Sequence, residues 1–280
     1  MTAPVPTALP FGLRDVKIYP YLDAQGTTLA AAGFDLPNAQ TFSFADTEEF
    51  TDLRGDDELA ATHGNGAQVT WSLEAGGIAL QIWAIFTGGQ IIESGAAPNR
   101  KITLRKCSDD ARPYFQVRGK VISDSGGDVT GVVYRAKCNG DISGQFADGA
   151  FFVTSADGLG LPIPGTKLLY DIIHSENKSV MTTTPDAIPV LPPKDLSAGA
   201  PSATGVTLYW EDVPNATGYV VEKSVSPFST WTSAGTDPTA ATLAVTGLTA
   251  ETAYKFRVKT KIGTDTSYAS PSIDVTTTAA

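Results

Sequence analysis

Alternating apolar and polar residues recur along the chain, with the period of two that is typical of β-strands. In residues 68–74, Val69, Trp71 and Leu73 fall on one face and polar residues on the other. Gly, Asn, Asp and Pro separate such runs, which is typical of turns. Antiparallel sheets commonly have one apolar and one solvated face. The pattern therefore predicts an all-β chain built mainly from antiparallel strands.

A long hairpin is predicted over residues 114–138. Gln116, Arg118 and Lys120 alternate with an apolar set, so we expect these three side chains on the solvent face of a strand. The string Ser-Asp-Ser-Gly-Gly-Asp that follows supplies the turn. A second strand then completes the hairpin.

One segment departs from the period of two. In residues 77–89, Ile78, Ile82 and Ile85 have helical spacing, Trp83 lies among them, and a pair of glycines ends the run. A short helix is predicted, with a buried strand as the alternative. Because the segment is apolar nearly all round, its residues must pack against the surrounding sheet and loops or against another subunit.

The last third of the chain has a different character. A Thr- and Pro-rich range, 181–193, predicts an extended linker, after which short strands alternate with turns. Pro192-Pro193, Trp210, a Gly-Leu corner and Tyr254 occur at the spacing that resembles the fibronectin type III family. The resemblance covers residues 190–278 and implies a seven-stranded sandwich over residues 194–280. Its expected core consists of Trp210, Tyr219, Leu248, Tyr254, Phe256 and Val258.

Composition adds a local charge feature. The chain has 280 residues, enough for two domains, and a formal net charge of −10. The excess acid is concentrated in residues 46–66, where one Arg stands among Asp46, Glu48, Glu49, Asp52, Asp56, Asp57 and Glu58. Two interpretations stay open for this predicted loop: a solvated acidic surface, or a contact with a neighbouring copy. The charge argues against a basic surface that grips phosphate.

The termini and cysteines bear on location. The first residues lack the basic start and apolar run of a secretory signal, so synthesis in the cytosol is expected. The longest apolar stretch is too short to span a bilayer, so no membrane insertion is expected. Cys107 and Cys138 are expected to be free thiols, with a disulfide as the alternative.

Candidate chemistry is sparse. His63 and His174 are the two histidines, and neither lies in the setting of a catalytic triad. Two cysteines and two histidines scattered in this way lack the spacing of a zinc site. The glycine-rich string at 158–165 contains prolines that forbid the helix of a phosphate-binding motif. No catalytic residue, metal or cofactor is predicted, and the chain is not expected to be an enzyme.

A second resemblance covers roughly residues 10–180. It rests on four segments: 112–119, 124–128, 132–137 and 149–158. Their cadence resembles the major tail tube protein of long-tailed, siphovirus-type bacteriophages, in which a C-terminal fibronectin- or immunoglobulin-like module recurs. The resemblance implies a tail-tube-type β-sandwich or barrel with one flanking helix. It also implies hexameric rings that stack into a hollow tube for DNA.

The same resemblance suggests roles for particular segments. Residues 1–13 are expected to form an arm that straps onto a neighbour, and residues 14–180 the tube domain. The acidic residues of the 46–66 segment are expected at subunit or lumen contacts, and the apolar helix in packing or an interface. Expected partners are further copies of the chain, the tape measure, terminator and distal tail proteins, and double-stranded DNA in passage. The expected location is the virion tail, with assembly in the bacterial cytoplasm.

The C-terminal module is expected on the outside of the tube, in contact with the host surface or a glycan. Two other function classes stay open. A secreted polysaccharide-active enzyme or binder would need two carboxylates about 5–10 Å apart in a cleft with aromatic platforms. A cell-surface adhesin would likewise need export.

Overall fold

The computed structural model describes residues 7–55 and 58–280. The chain divides into two compact units, Met1–Asp186 and Ala187–Ala280. Both units are built from β-strands, and the described residues of the first also contain one short helix. The predicted fold class, all-β with a single short helix, is confirmed.

The described part of the first unit contains ten strands and one helix. In chain order they are β1 (Pro10–Pro20), β2 (Phe34–Asp35), β3 (Ala39–Gly55), β4 (Glu58–Gly76), α1 (Leu80–Thr87), β5 (Gln90–Ser94), β6 (Lys101–Arg105), β7 (Phe115–Ser123), β8 (Asp128–Ser143), β9 (Val153–Gly160) and β10 (Tyr170–Ser175). β5 and β6 form a separate two-stranded sheet, and the other eight strands form one antiparallel sheet.

The large sheet folds over on itself. Its strand order is β2-β1-β7-β8-β9-β4-β3, with β10 paired to β8 as well. The first half of β8 pairs with β7 and β10, whereas its second half pairs with β9, so β8 joins two parts of the sheet. Phe42 and Phe44 of β3 lie over Gly119 of β7 and Gly131 of β8, where no Cβ would fit. The core lies between these two layers.

An aromatic cluster fills the centre of this core. The ring centroids of Trp71, Phe86 and Phe115 are 5.2–6.1 Å apart. Trp71 belongs to β4, Phe115 to β7 and Phe86 to the helix, so the cluster ties α1 to both layers. The predicted apolar face of residues 68–74 is buried as well.

The helix is shorter than the predicted segment. It spans Leu80–Thr87 and ends at Gly88, whose φ of 78° is favourable for glycine. Ile82 and Ile85 are buried, as expected, but Ile78 precedes the helix and is 43% exposed. The buried-strand alternative is excluded. Among the described residues, no helix is long and apolar enough to cross a membrane.

The predicted solvent face of β7 is buried, contrary to expectation. Gln116, Arg118 and Lys120 are 0%, 4% and 8% exposed. The chain after β10 returns across this face as an irregular segment, residues 176–186, which we call the strap. Alternation identifies the two faces of a strand, but it cannot show that a distant segment will cover the polar one.

The strap also shows that the linker begins later in the chain than predicted. The hydroxyl of Tyr19 donates to the carbonyl oxygen of Thr182 at 2.7 Å, and the N–H of Gly33 donates to that of Thr183 at 2.7 Å. Because these bonds fix the backbone, residues 181–186 belong to the first unit instead of the predicted linker.

The prediction of an N-terminal arm is wrong for residues 9–13. β1 begins at Pro10, and residues 10–13 pair with residues 121–123 of β7 in the same chain. The N–H of Leu9 donates to Oγ of Ser123 at 3.0 Å. These residues therefore form part of their own sheet and not a free arm. Residues 1–6 lie outside the described residues.

The second unit contains eight strands, arranged in two sheets. They are β11 (Ser197–Ala198), β12 (Gly205–Tyr209), β13 (Gly218–Val225), β14 (Thr232–Ser233), β15 (Thr242–Thr246), β16 (Ala253–Ile262), β17 (Asp265–Thr266) and β18 (Ile273–Thr276). One sheet has the order β11-β12-β15 and the other β14-β13-β16-β17, with β18 also paired to β16.

These two antiparallel sheets form a fibronectin type III sandwich. The six side chains expected in its core are all buried: Trp210, Tyr219, Leu248, Tyr254, Phe256 and Val258. The rings of Trp210 and Tyr219 meet edge to face at 5.3 Å. Near the start of β16, the hydroxyl of Tyr254 accepts the backbone N–H of Thr249 at 2.9 Å, the tyrosine corner of such sandwiches.

Candidate assembly surface

The segment predicted as an acidic loop, residues 46–66, is instead the end of a long hairpin. β3 and β4 are paired from Ala39↔Ala75 to Gly55↔Glu58. β9 pairs with β4 only from Gly76 to Val69. We call the part beyond that point, residues 47–68, the hairpin extension. At about 3.3 Å per residue it projects about 35 Å past the end of β9. Most of its described side chains are exposed, on both faces, so the sequence lacks the alternation that indicates a strand.

Most of the predicted acidic residues line this extension. Asp46 lies at its base, where its carboxylate accepts the hydroxyl of Tyr170 at 3.4 Å. Four more are exposed along the two strands: Glu48, Glu49, Asp52 and Glu58. Asp52 lies 4.0 Å from Arg54, an exposed and weak pair. Asp56 and Asp57 lie outside the described residues. The arrangement concentrates negative charge on a projecting element.

Exposed apolar side chains interrupt the acidic ones, a feature that was not predicted from the sequence. Phe50, Leu53 and Leu59 are each more than half exposed. A sheet of two strands has no core of its own, so these side chains gain little from folding of the chain alone. Exposed apolar side chains on a projecting element make it a candidate for contact with another protein. The sign of this feature in the sequence is that the three apolar residues occur within an acidic run.

A second exposed apolar group lies at the opposite end of β4. We call residues 144–152, which precede β9, the base loop. Phe151 is 95% exposed, and the rings of Phe146 and Phe152 are 4.9 Å apart. The loop is anchored to the helix side of the unit, since the ring centroids of Phe152 and Trp83 are 6.4 Å apart and Trp83 Nε1 donates to Thr154 at 3.0 Å.

Two exposed basic residues lie on β6, which packs beside the helix. Lys101 and Arg105 are four residues apart on β6, so they share one face of that strand, and both are exposed. β6 packs against α1, and the backbone of Gly89 just after α1 lies against the carbonyl oxygen of Arg105. The helix therefore contacts both β6 and, through the rings of Trp83 and Phe152, the base loop.

A catalytic triad would require a histidine, and the chain has two. His63 is exposed on β4, opposite Thr51, and His174 is half-buried on β10, opposite Val129. They lie on strands that are not paired with each other. The structure therefore does not bring them together into one site.

The cysteines are free thiols in different settings. Cys138 is buried, and burial raises the pKa of its thiol to about 12, which makes it a poor nucleophile. Cys107 is exposed in a turn where its sulfur lies within 4.8 Å of carboxylate oxygens of Asp109 and Asp110. Asp110 already accepts the N–H of Cys107 at 2.6 Å, which explains the cluster as a turn contact.

Comparison with known proteins gives similarity of fold for part of the chain. No protein-family model matches it. No curated protein matches it either. Among solved structures, one of titin kinase and its flanking domains is 25% identical, covers 32% of this chain and 18% of that chain, and has a TM-score of 0.30. The twitchin kinase region from C. elegans is 18% identical, with 32% and 17% covered and a TM-score of 0.30.

A single-domain structure, the FN5 domain of Drosophila Lar, is 22% identical over 33% of this chain and 100% of that chain, with a TM-score of 0.29. The chain thus spans less than a fifth of the two kinase-containing structures. With TM-scores this low, the fibronectin type III assignment rests on the strand order, the buried core and the tyrosine corner of the second unit.

Proposed function

We propose that this chain is a structural, non-enzymatic subunit of a bacteriophage tail tube. Copies of the first unit close into rings of six, and the rings stack into a hollow tube that conducts DNA. The observation that carries the proposal is the hairpin extension, which projects about 35 Å beyond the sheet. It exposes apolar and acidic side chains that serve no core of their own chain.

Open sheet edges support assembly. Within residues 7–55 and 58–280, β3 pairs with β4 alone and β10 pairs with β8 alone. An unpaired edge exposes backbone donors and acceptors, so it is prone to pair with another chain. Closure of a ring by one repeated contact would cover such edges in every copy.

The charge of the chain suits a conduit. A net charge of −10 disfavours tight binding to phosphate, so DNA would pass without being held. Further partners under this proposal are the tape measure, terminator and distal tail proteins. The C-terminal module decorates the outside of the tube and contacts the host surface or a glycan. The protein is then located in the virion tail.

Replacing residues 49–66 by Asn-Gly tests the role of the extension in this proposal. Glu48 pairs with Ala67, so a two-residue turn closes the shortened hairpin without disturbing the sheet. Size-exclusion chromatography with light scattering should give large multiples of 29.3 kDa for the natural chain and a smaller species for the shortened one. Both should have the circular dichroism of a folded β-rich protein, with a smaller strand signal for the shortened chain.

A charge change on the exposed Glu211, E211Q in the second unit, serves as the matched control and should assemble like the natural chain. A natural chain that stays monomeric at all concentrations would contradict the proposal. Assembly of the shortened chain equal to that of the natural one would remove its main support.

A further inference from the structure

We infer that the cavity beneath the strap is a binding site for a small oxyanion. The cavity has a volume of about 130 Å³ and lies between the strap and the face formed by β1, β7 and β8. A water molecule takes about 30 Å³ in the liquid, so an ion with four oxygen atoms fits. All the lining residues belong to the first unit, so binding requires one copy only and is independent of assembly.

Two buried cations line the cavity. Arg118 and Lys120 are 4% and 8% exposed, and they lie two residues apart on the same face of β7. Burying a charge is costly unless an opposite charge accompanies it. The local charge around the cavity, and not the net charge of the chain, therefore determines which ions the cavity attracts.

The two cations differ in how completely they are neutralised. Lys120 donates to Asp128 and to two oxygen atoms of Ser179, so its three N–H groups have partners. The Asp128 side chain is buried, which makes it an effective counterion. Arg118 instead pairs with Asp186, whose side chain is 79% exposed. A carboxylate that lies mostly in water neutralises a buried guanidinium weakly, so Arg118 is the cation that an added anion would stabilise.

The Arg118 guanidinium is held in place and has unused donors. Its Nε donates to Gln116 Oε1 at 2.8 Å, and its central carbon lies 5.3 Å from the centroid of the Tyr19 ring. Its terminal nitrogens donate to the carboxylate and the carbonyl oxygen of Asp186. A guanidinium has five N–H groups, so two remain after the bonds it makes within the described residues. Such a fixed fork suits the oxygen atoms of phosphate, sulfate or a carboxylate.

The Asp186 carboxylate occupies part of this fork, so it competes with the ligand. Asp186 is the last residue of the strap, and its exposed side chain can turn into solvent when another anion takes its place. A phosphate dianion carries twice the charge of a carboxylate, and the hydroxyl of Thr130 in the cavity wall supplies a further donor. Removing the Asp186 charge should therefore tighten anion binding, whereas removing the Arg118 fork should weaken it.

Phosphate-dependent unfolding of the dilute, full-length chain tests the site. In scanning calorimetry, added phosphate should raise the transition temperature of the first unit until the site is saturated, relative to chloride at equal ionic strength. Phosphate also stabilises proteins in general through its exclusion from their surfaces, and that effect does not saturate. The transition of the second unit reports this general effect and serves as the internal control.

Two variants with opposite expected effects identify the residues. Asp186→Asn should lower the dissociation constant for phosphate about tenfold, because the competing carboxylate is gone. Asp148→Asn removes the same charge from an exposed position in the base loop that does not line the cavity, so this matched control should change the constant less than about twofold. Arg118→Lys keeps the buried charge without the fork and should raise the constant about tenfold or more.

Two results would overturn the inference. In the first, phosphate raises both transitions alike and without saturation, so no site exists. In the second, the first unit shows a saturable rise that Asp186→Asn and Asp148→Asn change equally, so the anion binds elsewhere. Because the Asp186 side chain is exposed, this comparison decides the matter even if Arg118→Lys does not fold.

Discussion

Replacing Asp128 by asparagine should destabilise the first unit strongly, because the Asp128 carboxylate fixes the strap. It accepts the N–H of Ser179 at 2.8 Å, the hydroxyl of Ser179 at 3.2 Å and Nζ of Lys120 at 3.2 Å. The Asp128 and Lys120 side chains are 2% and 11% exposed. Lys120 also donates to the carbonyl oxygen and hydroxyl of Ser179, so the buried Asp128–Lys120 pair is bonded to the exposed Ser179 of the strap.

The expected loss follows from the burial of the pair. Removing one partner of a buried ion pair costs about 3–5 kcal/mol, because the remaining charge has no counterion. The amide oxygen of the substituted side chain can still accept one bond from Ser179, which places the expected loss near the lower end, about 3 kcal/mol. For a unit of this size each kcal/mol lowers the unfolding temperature by about 2–4 °C, so the shift should be roughly 6–12 °C.

Scanning calorimetry of dilute, unassembled full-length protein measures this shift. The transition of the second unit should not move, and it serves as an internal control. The double variant Asp128→Leu, Lys120→Met removes both charges and should recover most of the loss. A shift below about 2 °C for Asp128→Asn, or a double variant as unstable as the single one, would refute the reasoning.

The pH dependence of the natural chain should agree. Burial acts to raise the pKa of Asp128, but the hydrogen bond from the Ser179 N–H and the contact with Lys120 outweigh it and hold the pKa below its ordinary value. A lowered folded-state pKa means that the contribution to stability is complete above the unfolded value of about 3.9. It is lost as the pH falls through the folded-state value.

Three further outcomes are expected. Gly119→Ala should destabilise the first unit, measured as a lower midpoint in its thermal transition, because the added methyl group would overlap a phenyl ring of β3. Tyr254→Phe should cost the second unit about 1 kcal/mol in urea unfolding, because the hydroxyl that accepts the Thr249 N–H is lost. A thiol reagent at a pH of about 8 should label one cysteine, Cys107, in the folded protein and both after unfolding, as counted by mass spectrometry, because Cys138 is buried.

The sequence alone predicts the elements in which the local spacing of apolar residues matches the set of residues that the fold buries. The alternation at Val69, Trp71 and Leu73, the turn at 123–128 and the spaced aromatics of the second unit all correspond to strands, turns and buried side chains. The apolar residues of these elements have the spacing expected for their secondary structure, and they are also the residues that the core buries. The helix was located for the same reason, although its first turn begins later than the apolar run suggests.

The features that bear on assembly could not be derived in this way. The hairpin extension is exposed on both faces, so its strands have no alternation, and pairing between β3 and β4 alone holds them. The strap covers Arg118 and Lys120 through contacts between residues about 60 positions apart, such as Lys120 with Ser179. No local pattern carries such information. The base loop overlaps the segment 149–158 that supports the second resemblance, but no local pattern shows that Phe146 and Phe151 are exposed.

Cryo-electron microscopy of the purified full-length protein tests the central claim most directly. The account predicts rings of six copies that stack into hollow tubes. Dispersed particles of a single 29.3 kDa chain at concentrations up to the solubility limit would contradict it.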